Sequence, residues 1–252
     1  MAPCNNRAFL SKLLKFTVGS ACEEFVIHSD ILKLHSTPWF DADSGSFPGD
    51  ESIIIKDADA HTFSFVCQYL YTGDYSITLP SDTPPPDLTS GGQEKPEQNH
   101  AIILEGNLFK DTETVEKFAD YLVRRIQPRP SEGSQGSYDP NANYTEILLT
   151  HARLYTFSVK YELQELRDIC LFKLIHLLHV FPICQDRVGD IVRLIDLAFD
   201  TDTGQCENLT TMLQYYVARH IKLFLPSTKF QVLLQEQPTL ANLLLQTLVG
   251  GL

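Results

Sequence analysis

The residues of this 252-residue chain that could do chemistry are few and scattered. His176 and His179 lie three positions apart, so on a helix their imidazoles could reach one metal ion. Cys170 and Cys184 are near enough in sequence to complete such a site. Zinc sites, however, usually carry tighter ligand pairs, and the residues around both histidines are apolar. We therefore expect a hydrophobic helix here, and a metal-dependent enzyme remains the less favoured hypothesis.

Two pairs of carboxylates could in principle supply a general acid and a general base. Asp41 with Asp43, and Asp57 with Asp59, are spaced two apart in segments typical of loops, where solvated turn residues commonly give this pattern. The chain contains no GxSxG, GxxxxGK[ST] or HExxH motif. We accordingly expect no enzymatic activity, no catalytic residues, no metal and no cofactor.

Composition excludes several further classes. Asp and Glu total 32 against 20 Lys and Arg, which gives a net charge of −12 and would repel the phosphates of a nucleic acid. No apolar run reaches the ~18 residues that a membrane-spanning helix needs, so we expect no membrane partner. The six cysteines form no CxxC pair, which favours reduced thiols in the cytoplasm or nucleus.

The amino-terminal segment has a basic amphipathic pattern, in which Arg7, Lys12 and Lys15 lie between apolar residues and no acid precedes Glu23. The pattern predicts a short helical lead into the first domain. A mitochondrial presequence can look similar, and this alternative stays open.

The next block carries the signals of a small α/β unit. The apolar alternation at 16–18 and 25–27 predicts a hairpin, and 53–55 predicts a buried strand. Asp30 is expected to cap a helix that runs to about Ser36. A second helix is expected from Asp59 to Tyr71, ended by Gly73, which takes the left-handed closing conformation at little steric cost.

Composition changes at 76–143, where Pro-rich and Gly-rich stretches predict a flexible linker with one amphipathic helix at about 114–126. Beyond Tyr144 the apolar periodicity predicts helices only. The longest continuous series spans 209–224. Ser227 is expected to cap a short helix, and Pro238 to open the last one.

Three motifs follow one another in the first block: Val26-Ile27-His28, then Ser36-x-x-x-Phe40, then Tyr69-Leu70-Tyr71-Thr72-Gly73. Their order and spacing resemble those of BTB/POZ domains. The leading Phe16-Thr17-Val18-Gly19 is similar to the short first strand of the large fungal group of these proteins.

The resemblance implies an α+β, BTB/POZ-like fold, in which a small three-stranded sheet is flanked by short helices. This fold would be interrupted by a disordered linker and followed by an all-α C-terminal helical region. The expected division is a helical lead at 1–14, the first part of the BTB/POZ module at 15–79, the linker insertion at 80–143, the closing helices at 144–180 and the C-terminal region at 181–252.

Because BTB domains are interaction modules, the resemblance also implies a non-enzymatic adaptor or scaffold with protein partners. The resemblance allows a second copy of the chain as a partner, a cullin scaffold to which the module would present a substrate for ubiquitylation, or both. The candidate interaction residues are Trp39, Phe40, Phe47, Glu51 and Tyr71.

Two departures from the family limit these expectations. Cullin-binding members offer an apolar residue, any residue and then Glu, whereas here two extra positions separate Phe47 from Glu51. Either this loop bulges to restore the contact or cullin binding is absent. The charged pocket of corepressor-binding members is not encoded, because Thr17 and Ser29 occupy its positions.

A degenerate, purely structural BTB fold that has lost self-association is the alternative. It is motivated by the short segment at 5–14, since related dimers often exchange a longer amino-terminal segment.

Overall fold

The computed structural model describes residues 9–35, 53–77, 144–181, 183–200 and 206–250. These residues form an α+β structure with a three-stranded sheet and nine α-helices. The strands are β1 (Leu13–Val18), β2 (Glu23–His28) and β3 (Ile53–Ile55). The helices are α1 (Ser29–Leu34), α2 (Ala60–Thr72), α3 (Tyr144–Lys160), α4 (Gln164–Val180), α5 (Val188–Asp200), α6 (Glu207–Arg219), α7 (Ile221–Phe224), α8 (Thr228–Glu236) and α9 (Pro238–Gly250).

The sheet has the order β2-β1-β3. β1 and β2 form the predicted antiparallel hairpin, with Phe16 opposite Phe25, and β3 lies parallel to β1. Between the hairpin strands, Gly19 has a φ of 69°, and a side chain there would meet the Ala58 carbonyl at 3.1 Å. The predicted hairpin and the predicted strand at 53–55 are therefore both confirmed.

The start of β1 corrects the predicted helical lead at 1–14. β1 begins at Leu13, so Leu13 and Leu14 belong to the sheet, while Phe9 and Leu10 form a short 3₁₀ turn. Leu14 pairs with Ile27 and is buried, so sheet pairing outweighs the amphipathic helical pattern. Residues 1–8 of the predicted lead lie outside the described residues.

The predicted caps are confirmed for α2, and the predicted N-cap of α1 is wrong. Asp59 caps α2 by accepting the Thr62 N–H at 2.7 Å, and Gly73 closes it with a φ of 77°, as predicted. Asp30 does not cap α1: His28 occupies the N-cap position, and Asp30 lies in the first turn, 3.2 Å from Lys33. A carboxylate in the first turn still stabilises the helix, because it faces the positive end of the helix dipole.

Helix α3 packs against α2, and the helices from α3 onward pack on one another. Buried side chains from the sheet, α2 and all the later helices form one continuous apolar cluster. At the start of α3, the Thr145 hydroxyl donates to Asp190 of α5 at 2.5 Å, and the Arg187 guanidinium lies 5.5 Å from the Tyr144 ring centre. Among the described helices, none combines the length and apolarity needed to cross a bilayer.

The predicted longest series, 209–224, is not one helix. It breaks at His220 (φ −106°, ψ 18°), whose N–H donates to the carbonyls of Tyr216 and Val217 at 3.2 and 3.0 Å. The longest described helices are instead α3 and α4, with 17 residues each. The predicted starts at Ser227 and Pro238 are confirmed: Ser227 caps α8, and Pro238 is the first residue of α9.

Candidate interaction surface

One side of the three-stranded sheet faces solvent. Strand alternation and register place on this outer sheet face the side chains of Leu13, Lys15, Thr17, Glu24, Val26, His28 and Ile54. Leu13, Val26 and Ile54 are each more than half exposed, whereas the opposite side of β1 is buried in the core. Aliphatic side chains grouped on a solvent-facing sheet are typical of a surface that another molecule covers.

The charged residues of the outer sheet face neutralise each other. The Lys15 ammonium lies 2.5 Å from the Glu24 carboxylate, across the hairpin. Both side chains are about half exposed, so we expect this ion pair to add little to stability. Its effect is to leave the face without net charge, so that its apolar side chains dominate the surface.

An aromatic cluster of Phe9, His28 and Tyr71 continues the outer sheet face at one end. The Phe9 ring lies 5.6 Å from His28 and 6.4 Å from Tyr71, measured between ring centres. The His28 N–H donates to the Tyr71 hydroxyl at 3.1 Å, and His28 Nδ1 shares a 2.7 Å hydrogen bond with the same hydroxyl. His28 pairs with Leu13 across the hairpin, so the cluster and the face are contiguous.

The motif residues His28, Tyr69 and Tyr71 lie within the part of the chain that the structure describes. His28 is a hydrogen-bonded residue at the strand-to-helix turn, as expected from its position. Tyr69 faces inward, where its hydroxyl donates to Glu165 at 3.4 Å and burial raises its pKa. Tyr71 is half-buried, so the prediction that one of the two tyrosines faces inward and the other reaches the surface is confirmed.

A second histidine–tyrosine pair is formed by Tyr75, near the end of the described range 53–77, and His151 of α3. The Tyr75 hydroxyl and His151 Nδ1 share a 2.7 Å hydrogen bond, and both side chains are buried. The Lys173 ammonium lies 4.4 Å from the Tyr75 ring centre, donates to the Tyr75 carbonyl and pairs with Asp74 at 2.6 Å. Sequence reasoning missed this cluster.

The ionisation states of this buried cluster are those of a structural unit. Burial and, to a lesser degree, the Lys173 charge lower the pKa of His151 to about 4, so the imidazole is neutral at pH 7. Burial raises the pKa of the Cys170 thiol to about 12. A thiol that stays protonated is a poor nucleophile. The hydrogen bond from Tyr75 to His151 and the ion pair from Lys173 to Asp74 join α3 and α4 to the chain that follows α2.

A cavity of about 260 Å³ lies between the turn before α2 and the helices α3 and α5. Two of its charged groups pair with each other: the Lys160 ammonium lies 2.7 Å from the Asp57 carboxylate, which also accepts a hydrogen bond from the Tyr161 hydroxyl at 2.9 Å. Burial alone would raise the pKa of Asp57, but the hydrogen bonds from Lys160 and Tyr161 hold it below its usual value. Asp57 and the capping residue Asp59 therefore act as ionised turn residues.

The hypothetical metal ligands are not assembled into a site. Among the described residues, no group of three or more His, Cys, Asp or Glu side chains is placed to hold a metal ion. His176 is exposed and stacks on Phe172, with 6.5 Å between ring centres, while Cys170 is fully buried.

Several residues singled out in the sequence belong to the ranges 36–52 and 78–143. Ser36, Trp39, Phe40, Phe47 and Glu51 lie outside the described residues, as do Asp41, Asp43 and the helix predicted at 114–126.

The exposed residues of the outer sheet face carry a signal in the sequence. Val26 lies between the inward-facing Phe25 and Ile27, so the hairpin alternation alone assigns it to the other side. Phe9 had no such signal, because its contacts depend on where α2 ends.

Comparison with protein-family models, with curated proteins and with solved structures finds no match to this chain.

Proposed function

We propose that this chain is a non-enzymatic protein-interaction module of the BTB type, an adaptor or scaffold that engages protein partners through its outer sheet face. The observation that carries the proposal is the exposure of Leu13, Val26 and Ile54 on one side of a sheet whose other side is buried. Removing each of these side chains from water would contribute about 1 to 2 kcal/mol to binding.

The aromatic cluster beside this face supports the same role. Interface cores are enriched in aromatic residues, and binding energy concentrates in a few such anchors. Phe9 is 52% exposed and rests on His28 and Tyr71, which are joined by hydrogen bonds. Because the His28 and Tyr71 side chains are already fixed, binding of another protein would cost little side-chain entropy at this cluster.

The BTB assignment is supported by the motif order in the sequence, together with a hairpin, a following short helix and a third strand parallel to the first. The proposal includes presentation of a substrate to a cullin-type ubiquitin ligase, in the cytoplasm or nucleus. This part depends on Phe47 and Glu51. With a net charge of −12, the chain is suited to protein surfaces rather than to nucleic acids.

The test replaces two aliphatic residues of the outer sheet face by acids, as the double variant Val26→Glu/Ile54→Glu. Proteins captured from extracts of the source cells are quantified by mass spectrometry for the wild type and the variant. We expect the variant to lose the specific partners, because a carboxylate in an apolar interface leaves an unpaired buried charge.

The matched control is Leu225→Glu/Val232→Glu, which changes two exposed apolar residues of the helical part. It should keep the same partners, and circular dichroism should show both variants folded. Equal capture by the wild type and the sheet variant would contradict the proposal. The variant Phe47→Ala/Glu51→Ala tests the cullin part separately, since only a cullin should disappear from its captured proteins.

A further inference from the structure

The last helix, α9, is more apolar than its packing inside the molecule requires. Leu240 and Leu244 are buried against the rest of the fold, whereas Leu245, Leu248 and Val249 are 61%, 39% and 86% exposed. At 3.6 residues per turn these three side chains lie next to one another on the helix surface, beside the buried stripe. We call Leu245, Leu248 and Val249 the α9 outer arc. A helix that is apolar over most of its circumference is normally covered on both sides.

The α9 outer arc is presented by a firmly held helix. α9 packs against α6 and α8. The Gln214 side chain of α6 donates to the Leu243 carbonyl at 3.0 Å and to the Thr247 hydroxyl, and that hydroxyl donates to the Leu243 carbonyl at 3.0 Å. These hydrogen bonds fix the rotation of α9 about its axis, so the exposed arc keeps one orientation.

Charge identifies what could cover this arc. Residues 237–252 contain no Asp, Glu, Lys or Arg, although the chain as a whole carries a net charge of −12. Two copies of so acidic a protein repel each other wherever carboxylates meet, so a helix without any charged side chain is a place where they can approach. A basic partner would be drawn to the acidic surfaces instead, and a membrane-binding helix usually carries Lys or Arg on its polar side.

The exposed polar side chains of α9 fit a second copy as well. Asn242 and Gln246 are exposed, and each amide carries both donors and an acceptor. In a two-fold symmetric contact the same patch meets itself, so each group must be able to pair with its own kind. Amides meet this requirement, whereas a carboxylate or an ammonium does not.

We propose that α9 is a self-association surface, on which two copies of this chain pair their α9 outer arcs across a two-fold axis. The surface is separate from the outer sheet face and does not depend on the function proposed for that face. The contact uses one helix from each copy, so we expect a weak dimer that forms with rising concentration.

The test is sedimentation velocity of the full chain over a concentration series up to about 100 µM, a range that reveals micromolar association. We expect the wild type to shift from monomer to dimer. The variant Leu245→Glu/Val249→Glu should stay monomeric throughout, because each dimer would bring four carboxylates together in an apolar contact. Val249→Glu alone changes a residue that is 86% exposed, and it should weaken the dimer without disturbing the core.

The control Val26→Glu/Ile54→Glu on the outer sheet face should dimerise like the wild type. A wild type that is monomeric throughout, or a dimer that survives the α9 substitutions, would overturn the proposal. So would a dimer lost only in the sheet variant. A mixing experiment adds a positive test: equal amounts of Leu245→Glu and Leu245→Lys chains should associate more strongly than either chain alone.

Discussion

The molecule contains two histidine–tyrosine pairs that have the same hydrogen bond and different surroundings. Tyr71 lies in the last turn of α2 and Tyr75 follows the end of that helix, and each shares a 2.7 Å hydrogen bond with a histidine Nδ1. Tyr71 pairs with His28 beside the half-exposed Phe9. Tyr75 pairs with His151 in the core, under the Lys173 ammonium.

The difference shows that surroundings, rather than hydrogen-bond geometry, decide what such a pair contributes. In the core, loss of either partner removes a buried hydrogen bond, so the pair helps to specify how α3 meets the chain that follows α2. At the surface, water can replace a lost hydrogen bond. The His28–Tyr71 pair can therefore serve as a support for Phe9 at the proposed interface.

The largest difference between the two pairs is expected when each tyrosine is truncated to alanine. We expect Tyr75→Ala to lower the free energy of unfolding by about 3–5 kcal/mol, the usual cost of removing a buried aromatic ring. Tyr71→Ala should cost about 1–2 kcal/mol, since its ring is only half-buried. Urea unfolding followed by circular dichroism measures both, and equal losses would show that the two environments do not differ as described.

The second prediction concerns pH and the buried pair alone. His151 has a folded-state pKa of about 4 against an ordinary 6.5, so the unfolded chain binds the proton first as the pH falls. Between pH 6.5 and about 4 the protein should lose stability, by up to about 3 kcal/mol from this group. Above pH 6.5 the imidazole is neutral in both states and contributes no slope.

The control for this pH dependence is His151→Gln, which removes the titrating group and retains a polar side chain. Its unfolding free energy, measured at the same pH values, should fall less steeply than that of the wild type over the same window. Parallel curves for the two proteins would assign the slope to other groups. The carboxylates Asp57 and Asp59, whose pKa values are lowered, titrate in both proteins and cancel in the difference.

The smallest effect is expected from removing the Tyr71 hydroxyl alone. Tyr71→Phe keeps the ring against Phe9 but loses the acceptor of the His28 N–H, which should cost about 0.5–1.5 kcal/mol in thermal unfolding. Tyr75→Phe should cost more, about 1–3 kcal/mol, because it leaves polar groups buried without a partner. A reversed order would mean that the surface pair is the more important structural contact.

The elements that the sequence predicted correctly are those whose stabilising contacts lie within a few residues of one another along the chain. Asp59 and Gly73 start and end α2 through contacts within that helix and its caps, and Ser227 caps α8 in the same way. Strand alternation likewise predicted the hairpin. Local patterns sufficed where the stabilising contacts are local.

The rest depends on contacts between distant residues. His28 meets Tyr71 across 43 positions and Tyr75 meets His151 across 76, and no spacing rule connects such pairs. Pairing with β2 extends β1 back to Leu13, against an amphipathic pattern that favoured a helix. Apolar periodicity continued through His220, where the backbone leaves the helix, because the residues after the break still face the same core.

Tyr75 and Tyr144, near the two ends of the segment 78–143, are both held by contacts within the described residues. Tyr75 is fixed by His151 of α3 and Lys173 of α4, and Tyr144, the first residue of α3, contacts the Phe181 ring and the Arg187 guanidinium. The path of the chain is therefore fixed at Tyr75 and again at Tyr144. A substitution that frees either residue would change where the chain leaves or re-enters the framework.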